Sequence, residues 1–182
     1  ADIIAMGQLG THELAAGSLA ARYFQPFFFM GMGLMLAVGP LVAQGLGAND
    51  DRLVRRSLRQ GLFLAIAVGL VFILPIAGGR TVLIWLGQDP DILMHVDEFL
   101  LWLAVGIPFV FIYFVARQYI ISHQRPIPQV VAAALGLGTN IIANHVLING
   151  IGPFPAMGLN GIALSTSVIY LLMGGGLLIY IG

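Results

Sequence analysis

From Pro126 to Gly182 the chain runs for 57 residues without one Asp, Glu, Lys or Arg, yet it places Asn140 and Asn144 one helical turn apart. A stretch this apolar is comfortable only in lipid, where a polar side chain is costly to bury and so marks a functional interior or an interhelical hydrogen bond. Three other runs lack the same four residue types: Tyr23 to Asn49, Gln60 to Gly79 and Phe99 to Ala116. Each is about long enough to cross a bilayer. With 59% hydrophobic and 9% charged residues and a mean hydropathy of +0.96, the composition lies outside the range of soluble domains. The expected fold is an all-α integral membrane helical bundle. The absence of cysteine excludes disulfides and thiolate metal sites, and a net charge of zero implies no nucleic-acid surface.

The chain opens at Ala1-Asp2-Ile3-Ile4-Ala5-Met6, with neither an initiator Met nor a basic flank. It reads as a fragment in which residues 1–9 are the second half of a first transmembrane helix. Glycine, asparagine, aspartate and proline clusters then divide the remainder into helices at about 14–44, 54–76, 96–120, 129–148 and 157–181, with a short amphipathic segment around 82–86. Six transmembrane helices are thus expected, the first truncated. Arg52, Arg55, Arg56 and Arg59 cluster at the second-to-third connection, and Arg117 and Arg125 flank the fourth-to-fifth. The positive-inside rule makes those ends cytoplasmic, and with them both chain ends, in a cell or inner membrane. The opposite loops carry Glu13, Asp89, Asp91, Asp97 and Glu98 against Arg80 alone.

Helical rise puts Asp2 about 12 Å below the outer end of helix one, Asn144 and Asn140 about 9 and 15 Å below Gly150, and Thr166 about 14 Å below Met157. One slab of the outer half of the membrane therefore collects a carboxylate, two amides and a hydroxyl. Hard oxygen ligands of this kind suit a proton that binds and leaves, or sodium held at Asp2, Asn140 and Asn144. Plainer roles exist for each. Asp2 could cap a helix end, the asparagines could join helices, and Thr166 could bond its own backbone. His145 lies about 100° around the helix from Asn144 and reads as a packing residue.

Several segments in order resemble the multidrug and toxic compound extrusion (MATE) family. They are the helix-one Asp2 with Gly7-Gln8-Leu9-Gly10-Thr11-His12-Glu13-Leu14-Ala15-Ala16, the loop Ala43-Gln44-Gly45-Leu46-Gly47-Ala48-Asn49-Asp50, the turn Arg125-Pro126-Ile127-Pro128, the pair Asn140 and Asn144, and Gly158-Leu159-Asn160-Gly161-Ile162-Ala163-Leu164-Ser165-Thr166. The resemblance implies one N-terminal lobe, residues 1–182, of a twelve-helix, two-lobe transporter that exports cationic or amphipathic drugs in exchange for protons or sodium. It implies Asp2 as the cation-linked acid, Asn140 and Asn144 shaping its pocket and Thr166 completing it. Implied partners are small organic cations or amphipathic drugs, the bilayer and a C-terminal lobe, with no cofactor beyond the coupling ion. Some relatives carry Asp where this chain has Asn144, which leaves the ion open between proton and sodium.

Arg22 matches nothing in the family pattern. It falls about nine residues into helix two, near the depth of Asp2. A pair with Asp2 would hold that carboxylate ionised and oppose proton coupling; the plainer reading is a guanidinium facing a wet cleft. A lipid-linked polysaccharide flippase of the same superfamily is the rival function, disfavoured because a pyrophosphate headgroup calls for more buried cations than Arg22. No enzyme is expected. Ser165 with His145 is the sole tempting nucleophile and base, and no nucleophile elbow surrounds the serine.

Overall fold

A computed structural model describes residues 7, 10–88, 90–151 and 156–181. The expected first helix at 1–9, and with it Asp2, lies outside the described residues apart from Gly7. Seven helices follow: α1 Thr11–Leu36, α2 Val38–Gly47, α3 Asp51–Ala77, α4 Gly79–Trp85, α5 Pro90–Ser122, α6 Ile127–Asn149 and α7 Leu159–Ile181. Among the described residues, five helices are long and apolar enough to cross a membrane, with α1 and α2 together forming one span, Thr11–Gly47.

Local chemistry explains where these helices depart from the expected bounds. The second span is not one rod. Pro40 has no N–H to offer the Leu36 carbonyl, so α1 stops at Leu36 and α2 restarts after Ala37 with Pro40 in its first turn. Helicity nevertheless continues to Gly47, through glycines that read as a loop. The α3 helix starts at Asp51 because the Asp50 carboxylate accepts hydrogen bonds from the backbone N–H groups of Arg52 (2.9 Å) and Leu53 (3.0 Å). The α5 helix begins at Pro90, where a proline suits the first helical turn, and its membrane span covers His95–Ser122. At the end of α6, Gly150 takes a left-handed conformation (φ 67°) that a side chain would strain.

The α5 helix is the hub. Its span is far more buried than any other, and it packs against α1, α2, α3, α4 and α7, whereas α6 joins the bundle chiefly through α7. Small residues permit this closeness. The buried stripe of α3 runs Ser57, Gly61, Ala65, Gly69 at every fourth position, a small-residue face that lets two backbones approach. A methyl group on Gly69 would lie 2.7 Å from the Pro108 Cα of α5. Above the stripe, Phe72 meets Phe111 edge-on at 6.1 Å between ring centroids.

Polar contacts finish the helix ends. Tyr23 donates to the Pro75 carbonyl (2.7 Å), a group in the last turn of α3 without an intrahelical donor. Ser122 donates to the Gly39 carbonyl (3.0 Å), tying the end of α5 to α2. At the opposite face Arg80 and Asp97 form an exposed ion pair at 3.3 Å, of a kind that adds little stability.

Replacing Gly69 by valine drives a side chain into the backbone of α5 and is expected to destabilise the bundle by about 1–3 kcal/mol. Gly33→Ala, at a position with nothing within 4 Å of the added atom, should cause no loss. Thermal unfolding of the detergent-purified full-length protein separates the two variants.

Candidate functional site

The α6 and α7 helices run antiparallel in a register set by small residues. Gly161 lies against Leu147, whose Cβ would be 2.9 Å from a methyl at Gly161, and Gly136 lies against Met173 of α7. Between those two contacts the register brings Asn144 opposite Ser165. Both are buried, at 4% and 1% exposure, and the Ser165 hydroxyl donates to the Asn144 side-chain oxygen. Ser165 also lies 2.8 Å from the Ile162 carbonyl. Asn144 in turn donates through Nδ2 to the Asn140 Oδ1 at 3.3 Å, one turn along α6. The three side chains form a chain of hydrogen bonds across the interface of α6 and α7.

The sequence left open which α7 hydroxyl meets Asn144. Thr166 sits 100° around α7 from Ser165 and donates to the Ile162 carbonyl of its own helix at 2.9 Å, so the residue that meets Asn144 here is Ser165. Thr166 faces two grooves instead. One, of about 280 Å³, is lined by Tyr113, Asn140, Thr166, Tyr170 and Met173. The other, of about 530 Å³, is lined by Ser18, Arg22, Gln25, Phe28, Phe99 and Thr166. Thr166 therefore connects Asn140 on one side with Arg22 on the other. Of the predicted site residues, Asn140, Asn144, Thr166 and Arg22 are brought to neighbouring positions; Asp2 lies outside the described residues.

Arg22 is exposed and, among the described residues, makes no ion pair. Pro26, one turn later in α1, lacks the N–H that the Arg22 carbonyl would otherwise accept. Arg22 thus adds both a guanidinium and a main-chain acceptor to a groove flanked by Phe24, Phe28 and Phe29. No group of three or more His, Asp or Glu residues able to hold a metal occurs among the described residues. Among the described residues, the polar groups at the crossing of α6 and α7 are neutral amides and hydroxyls.

Ser165 is the residue sequence reasoning undervalued. It was weighed as a nucleophile with His145, but His145 is exposed on α6 and lies 3.2 Å from Asn149 Nδ2, while the Ser165 hydroxyl engages Asn144. Ser167 is a second such case. Its hydroxyl reaches the Trp102 carbonyl of α5 (2.9 Å), and Gly106 makes room, since a methyl there would lie 2.1 Å from that oxygen. Only the alternation of serines at 165 and 167 hinted that α7 turns polar groups to two neighbours.

Ser165→Ala is expected to lower stability by about 0.5–2 kcal/mol, the range for interhelical side-chain bonds in membranes, read as a fall in the unfolding midpoint of the full-length protein in detergent. An unchanged midpoint would mean that the hydroxyl does not hold Asn144.

Comparison with known proteins bears on the family and the fold. The MatE family model matches residues 1–146. A protein of Mesorhizobium japonicum named "Probable multidrug resistance protein NorM" is 36% identical over 179 residues, covering 97% of this chain and 38% of that protein. A protein of the same name from Synechocystis is 35% identical over 181 residues, covering 98% of this chain and 39% of its own length. The chain therefore spans under two fifths of these relatives. Among solved structures, an inward-facing multidrug resistance MATE family transporter of the MOP superfamily superposes with a TM-score of 0.90 at 19% identity, over 100% of this chain and 40% of that one. A MOP superfamily transporter from Pyrococcus furiosus gives 0.88 at 19% identity, over 99% and 39%. At such identity these structures speak to the fold alone, an all-α helical bundle. With four fifths of its residues under the family model and its sequence relatives named as above, the chain belongs to the MatE family of membrane transporters.

Proposed function

We propose that the protein containing this chain is a cation-coupled antiporter that exports cationic or amphipathic drugs by alternating access. The observation that carries the reading is family membership joined to the hydrogen-bonded crossing of α6 and α7, where Asn144 is buried and Asn140 and Thr166 border a groove. The names of the relatives give no support to the flippase alternative.

In this reading Asp2 is the coupling acid, and Asn140, Asn144 and Thr166 shape the pocket in which it takes a proton or sodium. A carboxylate in lipid is stable only when paired, hydrogen-bonded or neutralised. Its protonation or ion occupancy therefore differs in free energy between two arrangements of the lobe, the condition for an ion to bias which side is open. Cargo leaves as the ion enters. A single lobe has half a cleft, so transport needs a C-terminal lobe, and both ends of this lobe lie on the cytoplasmic side of the cell membrane.

Efflux of an organic cation, measured in vesicles with the full-length protein against imposed pH and sodium gradients, tests this directly. Asp2→Asn should abolish coupled efflux; undiminished export under both gradients would refute the assignment. Arg22→Ala should leave the pH profile of drug-driven proton release unchanged, because the guanidinium faces an open groove. A displaced profile would instead make Arg22 the partner of Asp2.

A further inference from the structure

All eight basic residues of the chain are arginines, and four of them, Arg52, Arg55, Arg56 and Arg59, lie in the first turns of α3. At 100° per residue, with Arg52 as zero, Arg55, Arg56 and Arg59 fall at about 300°, 40° and 340°, a single arc of about 100°. The buried residues Val54, Ser57, Gly61 and Ala65 fall between about 140° and 220°. The arginines thus point directly away from the bundle, and all four are exposed. None forms an ion pair among the described residues. Asp51, the carboxylate beside the cluster in the first turn of α3, forms no ion pair with it among the described residues, and Asp50 is occupied in capping the helix.

The same arc changes character abruptly farther along α3. Phe63, Ile66, Leu70 and Leu74, at about 20°, 320°, 0° and 40°, are exposed by 65, 41, 56 and 79%. Arg52 to Arg59 covers about 10 Å of helix, close to the depth of a headgroup layer, and Phe63 to Leu74 covers about 16 Å, close to one leaflet of hydrocarbon. One stripe therefore presents four unpaired guanidiniums and then an unbroken apolar track of one leaflet's length. A topogenic signal needs positive charge near the membrane end. It does not need that charge on one azimuth opposite the packed face, carried by guanidinium alone and in line with the apolar track.

We propose that this outward stripe of α3 is a binding site for an anionic phospholipid, its phosphate held by the arginines and an acyl chain lying along Phe63, Ile66, Leu70 and Leu74. Guanidinium matches phosphate through paired, charge-assisted N–H donors, and several together distinguish a net-negative headgroup from a zwitterionic one. The site lies on the face of α3 turned away from the bundle and does not depend on the proposed transport.

Binding of phosphatidylglycerol and of phosphatidylcholine to the full-length protein, titrated in dodecyl maltoside micelles at low salt and counted by native mass spectrometry, is the test. Phosphatidylglycerol should bind the parent more tightly. Arg56→Gln with Arg59→Gln should weaken it about 30-fold, and Arg59→Gln alone about fivefold, with phosphatidylcholine unaffected. Arg56→Lys with Arg59→Lys, which keeps the charge, should retain most of the binding, and the single variant gives the answer if the double one does not fold. Equal binding of the two lipids by the parent, or no loss in Arg59→Gln, would overturn the site. Displacement of phosphatidylglycerol by millimolar inorganic phosphate would overturn it too, in favour of a free-anion site.

Discussion

Helices surrounded by lipid gain nothing from hiding apolar surface from other apolar surface, so this bundle depends on how closely its backbones approach. The α5 helix shows the constraint most plainly. Three of its neighbours, α3, α1 and α7, come close where glycine stands at the contact point: Gly69 against Pro108, Gly31 against the Phe111 ring, Gly106 against Ser167. Close approach then allows side chains to reach carbonyls on other helices, as Ser167 does at Trp102 and Ser122 at Gly39. Dispersion and these bonds together stand in for the hydrophobic drive of a soluble core.

The same closeness builds the polar crossing. Gly161 brings α7 near enough to α6 for Ser165 to engage Asn144, and a hydrogen bond within α6 passes the contact to Asn140. The amides are thereby held in a fixed orientation, which in the proposed function precedes the arrival of an ion. Preorientation of neutral dipoles is what a cation site needs in a medium where reorganisation is slow and unsolvated charge is costly.

Much of this was legible in the sequence because lipid imposes long apolar runs, and each observed span coincides with one. Its finer errors have physical sources. The glycines at 45 and 47 read as loop punctuation, yet a helix whose backbone bonds have no competing water tolerates them. The break at Ala37 follows from Pro40, a proline whose effect falls four residues upstream. At the site, the spacing of Asn140 and Asn144 told that they share a face. The partner opposite them could not be read, because choosing Ser165 over the adjacent Thr166 takes the α6 and α7 register, a property of two helices rather than one.

The lopsided attachment of α6 has a mechanical meaning. Its outward side chains, Leu135, Leu137, Ile141 and Ile142, are exposed by 57 to 67%, and α7 is nearly its sole anchor in the lobe. A helix held along one edge swings like a leaf on a spine, with less packing to break than any other span. Whatever pushes on its asparagines is felt by the hub chiefly through α7.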